Sequence, residues 1–265
     1  MRTPRRPDET GRRGVFVFGA ACALVLISAT VTGCKRDARS AGPSAIELRT
    51  ADGWTLPALH WIGAQPRTCA ALLHDRGGEC GDWAWFAPRL AHAGYDSLAL
   101  TLRGHAGATN RDGVEARPET MSPDEWGKLD RDLEAGLAYE ARAGCEGAIV
   151  IAAGIAAEAA IRVAATGGKI AALVLISPLF AEDASDIEKL VADFNQVPIL
   201  LLVGDQDSAA VDAAGLINKG AGGFRELHAY PSAAHGIDLL SESRSAQEQL
   251  FQWLETVAPA ATGTV

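Results

Sequence analysis

Between residues 44 and 258, short apolar runs of strand length alternate with longer segments whose apolar positions recur at helical spacing. Residues 46–49 and 55–60 flank the dipeptide Asp52-Gly53, a pattern that predicts a β-hairpin. Further strands are predicted over 70–73, 97–102, 149–152, 170–176, 198–203 and 226–230. Helices are predicted over 83–93 (ended by Gly94), 123–143, 156–165, near 186–194, over 209–217 and, as a closing amphipathic helix, over 239–257. Several strands read as continuous apolar runs without alternation, the signature of a sheet covered on both faces. A leading antiparallel hairpin followed by repeated strand–helix units implies an α/β fold. Its sheet is mostly parallel, with helices on both faces and all parallel strands opening their carboxyl ends on one side. Ligands of open α/β sheets bind on that side. No internal repeat is visible, and no insertion is long enough for a substantial cap, so 44–258 is expected to form one domain with a shallow cleft.

The pattern changes before residue 44. Arg12-Arg13 precedes an uncharged stretch from Gly14 to Gly33, which is followed by Cys34, Lys35 and Arg36. A basic start, an apolar middle and small residues at the end define an export signal. The sequence Val31-Thr32-Gly33-Cys34 resembles the lipobox of bacterial lipoprotein signals. That resemblance implies cleavage after residue 33, lipidation of Cys34, and a membrane-anchored protein facing the periplasm or the cell exterior. The alternative is a plain transmembrane anchor, since about 20 apolar residues can span a bilayer. Arg12-Arg13 before Gly14-Val15-Phe16 also resembles a twin-arginine export motif. Residues 1–33 are thus expected to be signal peptide, 34–43 a tether, 44–258 the domain and 259–265 a flexible tail.

Charge and cysteine usage narrow the chemistry. The formal net charge is −9, but residues 1–33 carry five arginines against Asp8 and Glu9, a net of +3, so the remainder carries −12. An acidic domain without a basic stripe excludes phosphate-backbone recognition, and no nucleic-acid partner is expected. Of five cysteines, Cys22 leaves with the signal and Cys34 is the lipidation site. Cys69, Cys80 and Cys145 stand in no paired metal-ligand spacing, so neither a metal nor a cofactor is expected.

Four segments resemble the α/β-hydrolase family, together covering nearly all of 44–258. Leu72-Leu73-His74-Asp75-Arg76-Gly77-Gly78 is similar to the loop whose backbone N–H groups help form the oxyanion hole. Asp75 stands where that family has glycine, and His74 reads as a structural brace. Leu98 to His105 is similar to the strand ending Asp-x-Arg-Gly-His-Gly, with Thr101 in place of the aspartate. Arg103 and His105 are expected to organise the turn. Ala152-Ala153-Gly154-Ile155-Ala156 matches the nucleophile elbow, normally Gly-x-Ser-x-Gly between a strand and a helix. Both flanking glycines are alanine, and Gly154 occupies the nucleophile position. A shift of register would place Ala153 or Ile155 there, and neither can attack a carbonyl. The alternative is a simple strand–helix turn that needs a glycine. Finally, Gly204-Asp205-Gln206-Asp207 and Tyr230-Pro231 with His235-Gly236 match the segments that supply the acid and the histidine, in the family's chain order. The spacing selects Asp207, with Asp205 as substitute.

The resemblance implies catalytic positions at His235, Asp207 and a substituted Gly154. It implies oxyanion-loop positions at Asp75, Arg76, Gly77 and Ile155. Without a serine the acyl-enzyme route is closed, because the histidine has no hydroxyl to activate. The expectation is a pseudoenzyme, a tethered binding or scaffold module for a small ester or protein ligand. The competing expectation is an ester-type hydrolase that uses His235 and Asp207 with activated water or an unusual nucleophile such as Cys80. The family's sheet order also implies that the strands after Cys69 and Cys145 are neighbours. Their Cα atoms could then fall within the roughly 4.4–6.8 Å a disulfide needs. A stabilising Cys69–Cys145 bridge at the amino-end edge of the sheet is expected.

Overall fold

The computed structural model describes residues 42–63, 68–180, 189–192, 197–220 and 222–258. The expected signal peptide, Cys34, most of the tether and the tail lie outside the described residues. So does most of the helix expected near 186–194, of which 189–192 are described and helical.

Among the described residues eight strands form one sheet, β1 (Ser44–Arg49), β2 (Thr55–Trp61), β3 (Cys69–Leu73), β4 (Asp96–Leu100), β5 (Ala148–Ala153), β6 (Ile170–Ile176), β7 (Ile199–Gly204) and β8 (Arg225–Tyr230). Their spatial order is β1-β2-β4-β3-β5-β6-β7-β8. β2 runs antiparallel to both β1 and β4, and all pairs from β4 to β8 are parallel. Every residue of β3, β4, β5 and β7 is buried, as the apolar runs require. Alternate side chains feed two cores. Ala71, Leu73, Val150 and Ala152 pack on one face, and Ala70, Leu72, Ile149 and Ile151 on the other.

Among the described residues, and besides the helical 189–192, the helices are α1 (Ala87–His92), α2 (Pro123–Trp126), α3 (Leu129–Arg142), α4 (Ala156–Ala165), α5 (Ser208–Gly220), α6 (Ile237–Glu242) and α7 (Arg244–Val257). α3, α4 and α5 cover the first face of the sheet, and α1, α6 and α7 the second.

Three expected helices are shorter or broken. Over 83–93, Pro88 sits in the first turn of α1, and its ring would clash with the carbonyl of residue 84 if the helix continued backwards. Residues 80–83 form a separate 3-10 turn instead. The 123–143 segment breaks at Gly127-Lys128, which lets Trp126 pack on His105 and Arg76 while Leu129 and Leu133 enter the core. The 239–257 segment breaks at Ser243, whose extended backbone lets its hydroxyl accept from the Ala246 N–H at 3.2 Å and cap α7.

Two links tie the frame together. Cys69 and Cys145 are joined in a disulfide with Cα atoms 6.2 Å apart, tying β3 to the turn before β5. Arg103, fully buried beyond β4, pairs with Asp132 of α3 at 2.7 Å, Asp52 of the hairpin turn at 2.9 Å and Glu125 of α2 at 3.0 Å. A buried guanidinium needs such partners, since removing one leaves an uncompensated charge.

Candidate active site

The turn between β5 and α4 is tight and has a glycine at its centre. Gly154 follows β5 with φ +54°, a conformation that glycine adopts at no steric cost, and Ile155 leads directly into α4. The Gly154 N–H donates to the Ile176 carbonyl at 3.0 Å, and its own carbonyl accepts from the Leu179 N–H at 3.0 Å. The backbone is therefore pinned in the elbow shape from both sides.

The space above Gly154 is occupied. A Cβ built there would overlap the Asp75 carboxylate, which reaches in from the loop after β3. Asp75 Oδ1 accepts a hydrogen bond from the Ile155 N–H at 3.0 Å. In a nucleophile elbow the N–H of the residue at this place in the turn is a donor to the oxyanion hole. The loop is built to hold this pose. His74 is fully buried, its Nε2 accepting from the Leu102 N–H at 2.9 Å while Nδ1 lies 2.6 Å from the Asp75 carbonyl. Those partners place the single proton on Nδ1. Burial, with His105 close by, pushes the His74 pKa down to about 3, so the ring is neutral and acts as a brace. The Gly78 N–H closes the turn onto the Asp75 carbonyl at 3.1 Å, and Gly77 takes φ +84°. Arg76 turns away, its guanidinium 4.5 Å above the Trp126 ring.

His235 arrives from the loop after β8 and Asp207 from the loop after β7. Asp207 Oδ2 lies 2.5 Å from His235 Nδ1, while its Oδ1 accepts from the Ala210 N–H at 3.4 Å at the start of α5. Asp207 thus caps a helix and faces the imidazole at once. Asp205, the substitute acid, instead accepts from the Ser232 N–H at 3.2 Å. On the other side, His235 Nε2 lies 3.1 Å from Asp75 Oδ2; the approach is oblique, an ion pair rather than an in-line hydrogen bond. The imidazole is bracketed by two carboxylates.

The electrostatics follow. The Asp75 carboxylate, against the opposing effect of burial and with Asp207 behind it, raises the His235 pKa to about 9. Burial alone would raise Asp75, but His235 and the Ile155 and Arg76 N–H groups together hold it below the usual carboxylate range. At neutral pH the site is an imidazolium between two carboxylates. A protonated histidine cannot serve as the general base of acyl transfer.

The other candidates lie elsewhere. Cys80 starts the 3-10 turn, its N–H donating to Thr101 Oγ1 at 3.0 Å, and burial raises its thiol pKa, away from the reactive thiolate. Ser177, at the end of β6 with φ 46°, is fully buried and does not reach the cleft. Among the described residues no group of three or more His, Cys, Asp or Glu side chains has the geometry of a metal site. Asp75, Arg76, Trp85, His235, Ile237 and Asp238 are among the residues lining an open cleft of about 600 Å³. The inward turn of Asp75 is the feature sequence reasoning missed. Its signal was a pair of departures from the resembled motifs, Asp75 in place of a glycine in one loop and Gly154 in place of a serine in the turn beside it.

No protein-family model matches the chain. No curated protein matches it either. Solved structures do. An esterase from Pyrococcus furiosus superposes with a TM-score of 0.62 at 18% identity over 83% of this chain and 92% of that one. A monoglyceride lipase variant from Saccharomyces cerevisiae gives 0.63 at 12% identity over 86% and 99%. A dienelactone hydrolase from Anabaena variabilis gives 0.63 at 17% identity over 81% and 97%. The strand order, the elbow and these likenesses define an α/β-hydrolase fold.

Proposed function

We infer that the protein is a membrane-tethered lipoprotein whose α/β-hydrolase fold is impaired for serine-type acyl transfer and retained as a ligand-binding cleft. One observation carries this reading: the Asp75 carboxylate fills the space above Gly154 and engages the Ile155 N–H. The position thus offers no hydroxyl, and its oxyanion donor is already taken. Losing the nucleophile of a triad costs on the order of a millionfold in turnover.

The test uses the full chain purified in detergent, with short-chain activated esters and a fluorophosphonate label. No ester turnover that depends on His235 is expected. Gly154→Ser alone is expected to stay silent, because its Cβ overlaps the Asp75 carboxylate. Gly154→Ser combined with Asp75→Gly is expected to gain labelling and ester turnover. Parental ester turnover abolished by His235→Ala would overturn the reading.

A second reading, hydrolysis with a nucleophile other than serine, is favoured by one specific feature. What faces His235 is a carboxylate with free lone pairs rather than an empty space.

A further inference from the structure

We propose that Glu140 is a proton-operated latch at the amino-end edge of the sheet. While its carboxyl group is protonated, the last turn of α3 and the turn leading to Cys145 stay closed. On ionisation that corner opens to water. It lies at the opposite end of the parallel strands from the cleft, so the latch is independent of what the cleft binds.

The sequence puts this carboxyl group where an apolar side chain belongs. α3 packs on the sheet through Leu129, Leu133 and Gly136, and the same helical spacing brings Glu140 onto that stripe. Glu140 is 3% exposed, and among the described residues neither of its carboxyl oxygens has a hydrogen-bond partner. Glutamate at such depth is ordinarily paired. Here the charge that acts on it is a second carboxylate, Asp96 at the start of β4, itself 5% exposed. Asp96 does have partners. Its Oδ1 accepts from the Gly63 N–H at 2.5 Å, and its Oδ2 lies 3.7 Å from Nε2 of His60 on β2. The Tyr139 hydroxyl lies 3.2 Å from the other nitrogen of that ring. Among the described residues the other elements packed on α3 offer Glu140 no ion pair. β1 turns Ile46 and Leu48 to this face, and Cys69 of β3 is in the disulfide. On α4, Glu158 and Arg162 pair with each other at 2.8 Å. Of the two carboxyl groups only Asp96 is hydrogen-bonded as an anion, so the proton they share out sits on Glu140.

Burial, with the Asp96 charge adding to it, pushes the Glu140 pKa well above the ordinary 4.5. Ionised in place, Glu140 would be an unpaired charge in the core beside another of the same sign. That form is stable only where water reaches it. The way out is short. Glu140 stands in the last turn of α3, and its carbonyl accepts from the Cys145 N–H at 3.1 Å. Gly144, with φ +102°, turns the chain between them. Helix ends open at low free energy, and fraying this turn frees the side chain. Cys145 is bonded to Cys69, the register partner of Asp96, so the carboxyl pair and the bridge share one corner. Because the folded pKa lies above 4.5, the contribution of Glu140 to the closed form is fully present below that pH. It is lost as pH rises through the raised value, the reverse of a carboxylate held by a cation.

The experiment follows amide hydrogen exchange of the full chain in detergent by mass spectrometry from about pH 5 to about pH 9. Each rate is divided by that of the same sequence as an unstructured peptide at the same pH. In the parent, opening of segment 139–147 is expected to rise about tenfold per pH unit until the raised pKa is passed, then to level off. In Glu140→Gln, which keeps the shape of the protonated side chain, the same segment is expected to show no such rise. Asp132 and His235 also have shifted pKa values, and the ratio of parent to Glu140→Gln at each pH removes their contribution. Asp96→Asn removes the neighbouring charge and is expected to end the rise at a lower pH. Protection of 139–147 that does not change with pH in the parent would overturn the latch. So would a rise that Glu140→Gln shares, or one of equal size in β5, β6 and β7. The comparison of 139–147 with those strands needs only the unsubstituted protein, so a variant that fails to fold leaves the test standing.

Discussion

His235 meets a carboxylate at each ring nitrogen, and the consequence is measurable at a single residue. Its folded pKa of about 9 lies above the ordinary 6.5. The stabilisation it contributes is therefore fully present below about pH 6.5 and lost as pH rises through 9. Asp75 has the opposite sign. Its pKa lies below the ordinary 3.8, so its contribution is present above that value and lost as pH falls through the lowered one. Following the imidazole resonances by NMR should give a midpoint near 9, and Asp75→Asn should move it down toward 6.5 because the partner facing Nε2 has lost its charge. A parental midpoint near 6.5 would show that the two carboxylates do not hold the proton. At this scale the sequence placed His235 and Asp207 at loop ends that the fold brings together, Nδ1 to Oδ2 at 2.5 Å. His235 and Asp207 were legible from spacing, but whether Asp75 turned into the cleft or away from it was not. That choice depends on His74 and Leu102, which are distant in sequence and adjacent only after β3 and β4 pair.

The elements around the site are held more firmly than their lengths suggest. The turn between β5 and α4 keeps its elbow because two backbone hydrogen bonds from the β6 side fix it, one to each polar group of Gly154. The disulfide acts one layer lower, joining β3 to the turn ahead of β5 across a sequence separation of 76 residues. Closing a loop of that size restricts the unfolded chain, and native bridges typically contribute about 2–4 kcal/mol. Replacing Cys69 and Cys145 together by serine should lower the urea-unfolding free energy of the oxidised protein by about that much. An unchanged midpoint and slope would count against a formed bridge. Element order and type followed from apolar runs and turn residues. The three broken helices did not, because each break is set by a competing interaction that periodicity ignores. These are the Pro88 ring, the packing demand of Trp126, and the Ser243 hydroxyl.

On the scale of the whole molecule, a lipid at Cys34 is proposed to hold the domain at a membrane. If Cys34 carries a lipid, the full chain should partition into the detergent-rich phase on phase separation, and Cys34→Ser should move it to the aqueous phase. Equal partition of the two would remove the anchor from the account. Sequence alone determined the α/β class, the leading hairpin, the run of parallel strands and the positions of a histidine, an acid and a glycine at three loop ends. It could do so because burial and turn formation leave local patterns of apolar spacing and glycine placement. Only the tertiary structure decided what stands above that glycine. Asp75 and Gly154 are 79 positions apart in the chain, and no local pattern records that one carboxylate fills the space the other residue leaves. The fold brings them together because β3 and β5 are neighbours in the sheet and both end at the same edge.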